Sequence, residues 1–209
     1  MRKLIIFFLL IVALAIAGIF AWGRIASKTP EIDLSTIKSP VVLESDPKLG
    51  SEDPKVIIVH FGDFECEYCA ETQSTMVDLV EEFPDDILFA WKDFPNTSLH
   101  PESVSAAVAA RCAHNQDAFW EYQNMLFANQ HDLTESFYTA VAVDLELNEK
   151  KFNKCMSKQE PLKEIQASFD QGHALNITAV PTIFIGTHRY TGKMTSYELR
   201  DVVLDALGL

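Results

Sequence analysis

Cys66 and Cys69 stand three residues apart, with Glu67 and Tyr68 between them. An apolar, β-branched run precedes the pair and a helical pattern follows it, which places the cysteines at a strand-to-helix junction. A cysteine there faces unpaired backbone N–H groups and the positive end of the helix dipole. Both favour the thiolate, which is the attacking species in disulfide exchange. A second cysteine one turn further closes a small reversible ring and releases a mixed disulfide. The spacing therefore predicts a redox pair, with Cys66 as the exposed nucleophile and Cys69 as the more buried resolving thiol. The competing use of Cys-x-x-Cys is half a zinc site, which needs a second Cys/His pair at ligand spacing. The chain has no second Cys-x-x-Cys and no His-x-x-x-His. The expected chemistry thus uses no metal and no cofactor beyond the redox-active disulfide itself.

The elements that must position this pair are legible from hydrophobic period. Val56 to Phe61 reads as a buried strand. Residues 67–83 read as a helix, with Met76, Leu79, Val80 and Phe83 on one apolar face and Pro84 as its stop. Ile87 to Trp91 reads as a second strand. A helical block follows over 103–114, 118–127, 134–145 (capped by Thr134), a short helix begun by Asn148, and about 161–174. Thr182 to Ile185 and Arg189 to Thr191 read as two strands turned at Gly186, and 196–206 as a closing helix. The order is that of an α/β domain with helices inserted between its halves. Phe119, Trp120, Tyr122 and Phe127 read as the core of that block.

Leu4 to Trp22 is a run of 19 residues without charge or proline, preceded by Arg2 and Lys3. As a helix it would span about 28 Å, close to the hydrocarbon thickness of a bilayer. The basic flank favours a cytoplasmic N-terminus. An uncleaved anchor is the leading reading. A cleaved signal peptide, cut after Ala15-Ile16-Ala17, is the alternative. Either delivers the rest of the chain to an oxidising compartment, where Cys112 and Cys155 form a structural disulfide. Two separate buried thiols, or a second relay, are the other options for them.

The chain carries 17 basic and 30 acidic residues, a formal charge of −13 over 209 residues. The first 28 residues hold four of the bases and no acid, leaving −17 on the remainder. That balance argues against nucleic acid as a partner.

Phe61-Gly62-Asp63-Phe64-Glu65-Cys66-Glu67-Tyr68-Cys69 resembles the thioredoxin superfamily. Within it, the chain resembles the DsbA-like thiol:disulfide oxidoreductases over residues 45–209. Trp91-Lys92-Asp93-Phe94-Pro95, Arg111-Cys112-Ala113-His114 and Val180-Pro181-Thr182 carry the rest of the match. The resemblance implies a thioredoxin fold with an inserted α-helical domain, preceded here by an N-terminal transmembrane helix. Its parts would be a membrane anchor or signal peptide over 1–28, a tether over 29–54, a thioredoxin-like domain over 55–97 and 161–209, and a helical domain over 98–160. It also implies a cis bond between Val180 and Pro181, leaving the Val180 backbone to pair with an extended substrate.

Two departures stand out. The family's buried acid six residues before the nucleophile is replaced by His60. His60 would move the proton of the resolving thiol with a pKa nearer 7, or else pack with a structural hydrogen bond. Lys92 on the neighbouring strand would disfavour imidazolium or be solvated. Between the cysteines, Glu67-Tyr68 replaces the Pro-His of strong oxidants. Glu65 and Glu67 flank Cys66, raise its pKa and predict a weaker oxidant than those with potentials near about −120 mV. His100, His114, His131 and His188 read as surface or turn residues, and His173, just before the proline loop, could approach the site.

The expected activity is that of an extracytoplasmic, membrane-anchored oxidant of exported polypeptides, reoxidised by a membrane-embedded partner. A reductase or isomerase of the same fold, or a metal-carrying or chaperone module, would be the alternatives.

Overall fold

The computed structural model describes residues 32–209. The leader helix expected over 1–28 lies outside them. Among the described residues, no helix is long and apolar enough to cross a membrane.

Five strands form one sheet in the order β1-β3-β2-β4-β5. They are β1 Lys48–Gly50, β2 Val56–Gly62, β3 Ile87–Asp93, β4 Thr182–Ile185 and β5 His188–Thr191. Helix α1, Glu67–Glu82, makes the crossover between the parallel strands β2 and β3. The other pairings are antiparallel. β2 is the central strand, and all of it but Ile57 is buried, as expected of a strand covered on both faces. Its period of two sends Ile58 towards Met76 and Leu79 of α1 and Val203 of α7, Ser196–Leu207. Val59 and Phe61 go to the other face, against Phe94, Leu175 and Phe184. There α6, Leu162–Ala174, lies close enough that a Cβ on Gly172 would run into the Phe94 ring.

Between β3 and α6 comes a helical block of α2 Ser103–His114, α3 Phe119–Ala128, α4 Glu135–Asp144 and α5 Glu149–Lys158. Ala106, Ala109, Ala110 and Ala113 give α2 a small-residue surface, against which Phe119, Tyr122, Leu126, Tyr138 and Phe152 pack. The expected aromatic core is there, although Trp120 and Phe127 are only partly buried. Thr134 and Asn148 each accept a hydrogen bond from the backbone N–H three residues on, which fixes the starts of α4 and α5. Cys112 and Cys155 are joined in a disulfide linking α2 to α5, with Cα atoms 5.8 Å apart.

The tether expected over 29–54 gives up its second half to the fold. Strand β1 pairs with β3, Lys48 opposite Ala90, and Asp46 is 2% exposed. Three residues ending in glycine carry too little period to read as a strand. β1 exists because the β3 edge has backbone groups to satisfy, and because Asp46 answers buried cations described below.

Candidate active site

Cys66 is the N-cap of α1, with extended backbone angles, and its carbonyl accepts from Cys69 N at 3.0 Å and Ala70 N at 3.3 Å. Its own N–H donates to the Asp63 carbonyl at 3.1 Å. The loop from Asp63 to Cys66 is thus wound tightly into the helix start. Cys69 follows one turn later on the inner face and is fully buried. Opposite the helix start, the Val180–Pro181 peptide bond is cis. The Cys66 thiol points to the Val180 carbonyl at 3.8 Å. Cys66 was expected to be the exposed member of the pair. It is instead 8% exposed, because the proline loop and the helix start close over it.

The two sulfurs differ in acidity in the direction exchange requires. The Cys66 pKa is lowered, first by the hydrogen bond from the Cys69 thiol and then by the Cys69 backbone N–H, against the opposing effect of burial. Cys69 is pushed well up, mainly by burial and then by the hydrogen bond and charge of Cys66. One sulfur is therefore poised as the thiolate and leaving group, and the other is held as a thiol.

Charge near the pair comes from residues that the spacing did not single out. Glu65 and Glu67 were expected to raise the Cys66 pKa. The net direction is down, and neither glutamate is among the main charges acting on it. The Glu65 carboxylate accepts from Glu102 N at 2.7 Å and is itself raised in pKa by burial. Glu67 is exposed in the first turn of α1, where it complements the helix dipole. The acid that disfavours the thiolate is Asp63, with His100 acting in the opposite sense. Asp63 is 2% exposed and accepts from Glu65 N at 2.9 Å and Asn96 N at 2.8 Å, with His100 Nδ1 at 2.9 Å. Its bond to the N–H two residues on is an Asx-turn, a local signal that could have marked it. His100, expected on the surface, arrives from 37 residues away and has no such signal. Tyr68 is partly exposed, with Lys193 Nζ 4.6 Å from its ring centre.

His60 and Lys92 also depart from expectation. The register sets His60 opposite Trp91 and Phe61 opposite Lys92, so the two are not cross-strand neighbours. His60 is fully buried, edge-on to Trp91 at 4.9 Å between ring centres. Gln73 is the polar group facing it, yet no hydrogen bond reaches either ring nitrogen. Burial drives its pKa down to about 3, so His60 is a neutral imidazole at physiological pH rather than a group titrating near 7. Lys92 is not solvated. It is buried and pairs with Asp46 at 2.6 Å. Arg111 joins the same cluster, with Nε 2.7 Å from Asp93 and Nη2 3.9 Å from Asp46. Two buried cations thus meet two buried carboxylates where β1, β3 and α2 converge. His173 packs edge-on to Phe169 at 4.5 Å and lines a groove of about 460 Å³ that reaches Val180. Of the other histidines, His131 and His188 are exposed and His114 is partly buried.

The comparisons agree with this geometry. The thioredoxin family's model matches residues 43–205. Among curated relatives, the chain is 28% identical over 193 residues to a Na(+)/H(+) antiporter NhaA 1 from Mycolicibacterium vanbaalenii, covering 90% of this chain and 31% of that protein. It is 30% identical over 187 residues to a Na(+)/H(+) antiporter NhaA from Herminiimonas arsenicoxydans, covering 88% and 28%. The chain therefore spans less than a third of the length of these relatives. Among solved structures, it resembles oxidised BdbD from Bacillus subtilis at 21% identity and TM-score 0.70, covering 80% of this chain and 96% of that one. The thiol-disulfide exchange protein alpha-DsbA2 from Wolbachia pipientis superposes at 19% identity and TM-score 0.69, covering 78% and 87%. A thioredoxin-like oxidoreductase from Silicibacter pomeroyi does so at 22% and 0.70, covering 86% and 99%. With its Cys-x-x-Cys at the start of α1, its cis-proline loop and the helical block between β3 and α6, the chain belongs to the thioredoxin family and has the DsbA-like form of that fold.

Proposed function

We propose that the protein is a thiol:disulfide oxidoreductase that oxidises exported polypeptides through Cys66 and Cys69. The observation carrying this reading is the opposed acidity of two sulfurs at one helix start, Cys66 lowered and Cys69 raised. In the forward reaction a substrate thiolate attacks Cys66 Sγ in the Cys66–Cys69 disulfide. That bond breaks, a mixed disulfide forms, and Cys69 leaves and takes up a proton. A second substrate thiolate then attacks the substrate sulfur of the mixed disulfide. Cys66 departs as a thiolate, for which its lowered pKa suits it. The substrate loses two electrons and gains a disulfide, and the Cys66/Cys69 pair is left reduced. Val180, whose carbonyl faces Cys66, together with Pro181 is the backbone edge offered to an extended substrate.

The reading includes a location and a partner. The apolar leader anchors the chain with the domain on the extracytoplasmic side, and the Cys112–Cys155 disulfide suits an oxidising compartment. A membrane-embedded oxidant then recycles the reduced pair. The test is turnover of a reduced dithiol peptide by the full chain and by Cys66→Ser. The variant is expected to fall at least about a thousandfold, since the attacked sulfur is gone. Full turnover by Cys66→Ser would refute the assignment. Isolating the chain from its membranes with Cys66 and Cys69 mostly reduced would instead reverse the direction of flux.

A further inference from the structure

The groove of about 460 Å³ that reaches Val180 runs between the loop after β3 and the loop leading from α6 to Pro181. Both of its walls are tied to the reacting sulfur. On one wall Val180 lines the groove, and its carbonyl faces the Cys66 thiol at 3.8 Å. On the other wall is Asn96, whose backbone N–H donates to the Asp63 carboxylate at 2.8 Å. The Asp63 carbonyl in turn accepts from Cys66 N at 3.1 Å.

The groove is aromatic and uncharged. Phe94 and Phe169 stack with ring centres 4.9 Å apart, and His173 stands edge-on to Phe169 at 4.5 Å. Gly172 permits that approach of α6, since a side chain there would run into the Phe94 ring. Phe169 and Val180 are only partly buried and His173 is exposed, so these surfaces are open to a ligand. Exposed Thr97, Asn176 and Thr178 add hydroxyl and amide groups to the lining. No Asp, Glu, Lys or Arg lines the groove, although charged residues make up 22% of the chain.

We propose that this groove is a specificity subsite for an aromatic side chain flanking the reactive cysteine of the substrate polypeptide. A substrate strand paired along the Val180 backbone, with its sulfur at Cys66, sends alternate side chains to one side. The groove is continuous with that edge, because Val180 belongs to both. A ring seated there meets the Phe94, Phe169 and His173 rings by offset stacking or edge-on. A tyrosine hydroxyl or tryptophan N–H also finds partners among the hydroxyl and amide groups, which no aliphatic side chain uses. A carboxylate or ammonium would shed water there and meet no counter-ion. The proposal rests on the exchange activity proposed above and adds a preference to it.

The test uses the full chain in detergent with reduced dithiol peptides in which one tryptophan is walked away from the cysteine, each beside leucine and glutamine twins. At the best position the tryptophan peptide is expected to react about tenfold faster in kcat/KM than the glutamine twin, with leucine between them. High salt should leave that ratio in place, since no ion pair carries it. Phe169→Leu should reduce the ratio. Thr178→Glu changes an exposed residue, and should both reduce the ratio and favour a lysine peptide that has no advantage with the unmodified protein. A ratio of one at every position, the result also expected if a second copy of the chain fills the groove, would overturn the subsite. So would a ratio that neither substitution changes. Absence of exchange with all the peptides would instead overturn the activity on which it rests.

Discussion

The chain uses cysteine in two ways that its sequence writes with the same letter. Cys112 and Cys155 face each other from two helices, flanked by the apolar core of the helical block. Cys66 and Cys69 share one helix start, with Asp63 and His100 beside them and a backbone carbonyl in front. Both pairs are almost covered: exposure is 1% and 4% for Cys112 and Cys155, and 8% and 0% for Cys66 and Cys69. Burial therefore does not separate a redox pair from a structural one. The difference lies in what surrounds the sulfur. Where N–H groups and a neighbouring thiol favour charge on one sulfur only, the bond is made to be exchanged. Where the bond joins two packed helices, it restrains the unfolded chain.

The comparison can be broken most sharply by stability. Replacing both Cys112 and Cys155 with Ser should lower the unfolding free energy by about 3–4 kcal/mol while leaving peptide oxidation by the folded protein unchanged. Denaturant titration and turnover at a temperature below the shifted midpoint would check this. Loss of turnover in the folded variant would make Cys112 and Cys155 part of a relay.

A smaller effect comes from the buried imidazole of His60 on β2. His60 has a folded pKa of about 3 against an unfolded value near about 6.5. The unfolded chain binds the extra proton between those values, so the contribution is complete above the unfolded value and is lost as pH falls towards 3. Between about pH 6.5 and about pH 5 the loss should be about 2 kcal/mol. His60→Phe should flatten this part of the pH–stability curve. An unchanged curve would mean that His60 is not the buried base responsible.

The smallest effects concern the tuning of Cys66. Asp63→Asn should lower the thiolate pKa further, and His100→Asn should raise it, both read from the ultraviolet absorbance of the thiolate. Glu67→Gln should move it less than either. The reverse order would restore the flanking glutamates as the controlling charges.

How much of this was legible follows from the range of each interaction. The helices of the insertion and strands β2, β3 and β4 have strong local period, and Thr134 and Asn148 announce their helices. The redox pair was visible because its two members are three residues apart on one helix. Strand β1 was not visible, because its partner is β3 some forty residues later and its own three residues have no period. Lys92 could not be placed, because Asp46, its counter-ion, lay in a segment that reads as linker.

The sequence by itself determined the strand–helix junction, the pairing of Cys66 with Cys69 and the helical insertion, since each depends on neighbours within a turn or two. Only the tertiary structure decided which charges reach the sulfur. Asp63 is turned inward by its bonds to Glu65 N and Asn96 N, and His100 comes to it from beyond β3. Glu65, adjacent to Cys66 in sequence, is turned away to Glu102. Electrostatic influence depends on distance and dielectric in space, and proximity along the chain fixes neither.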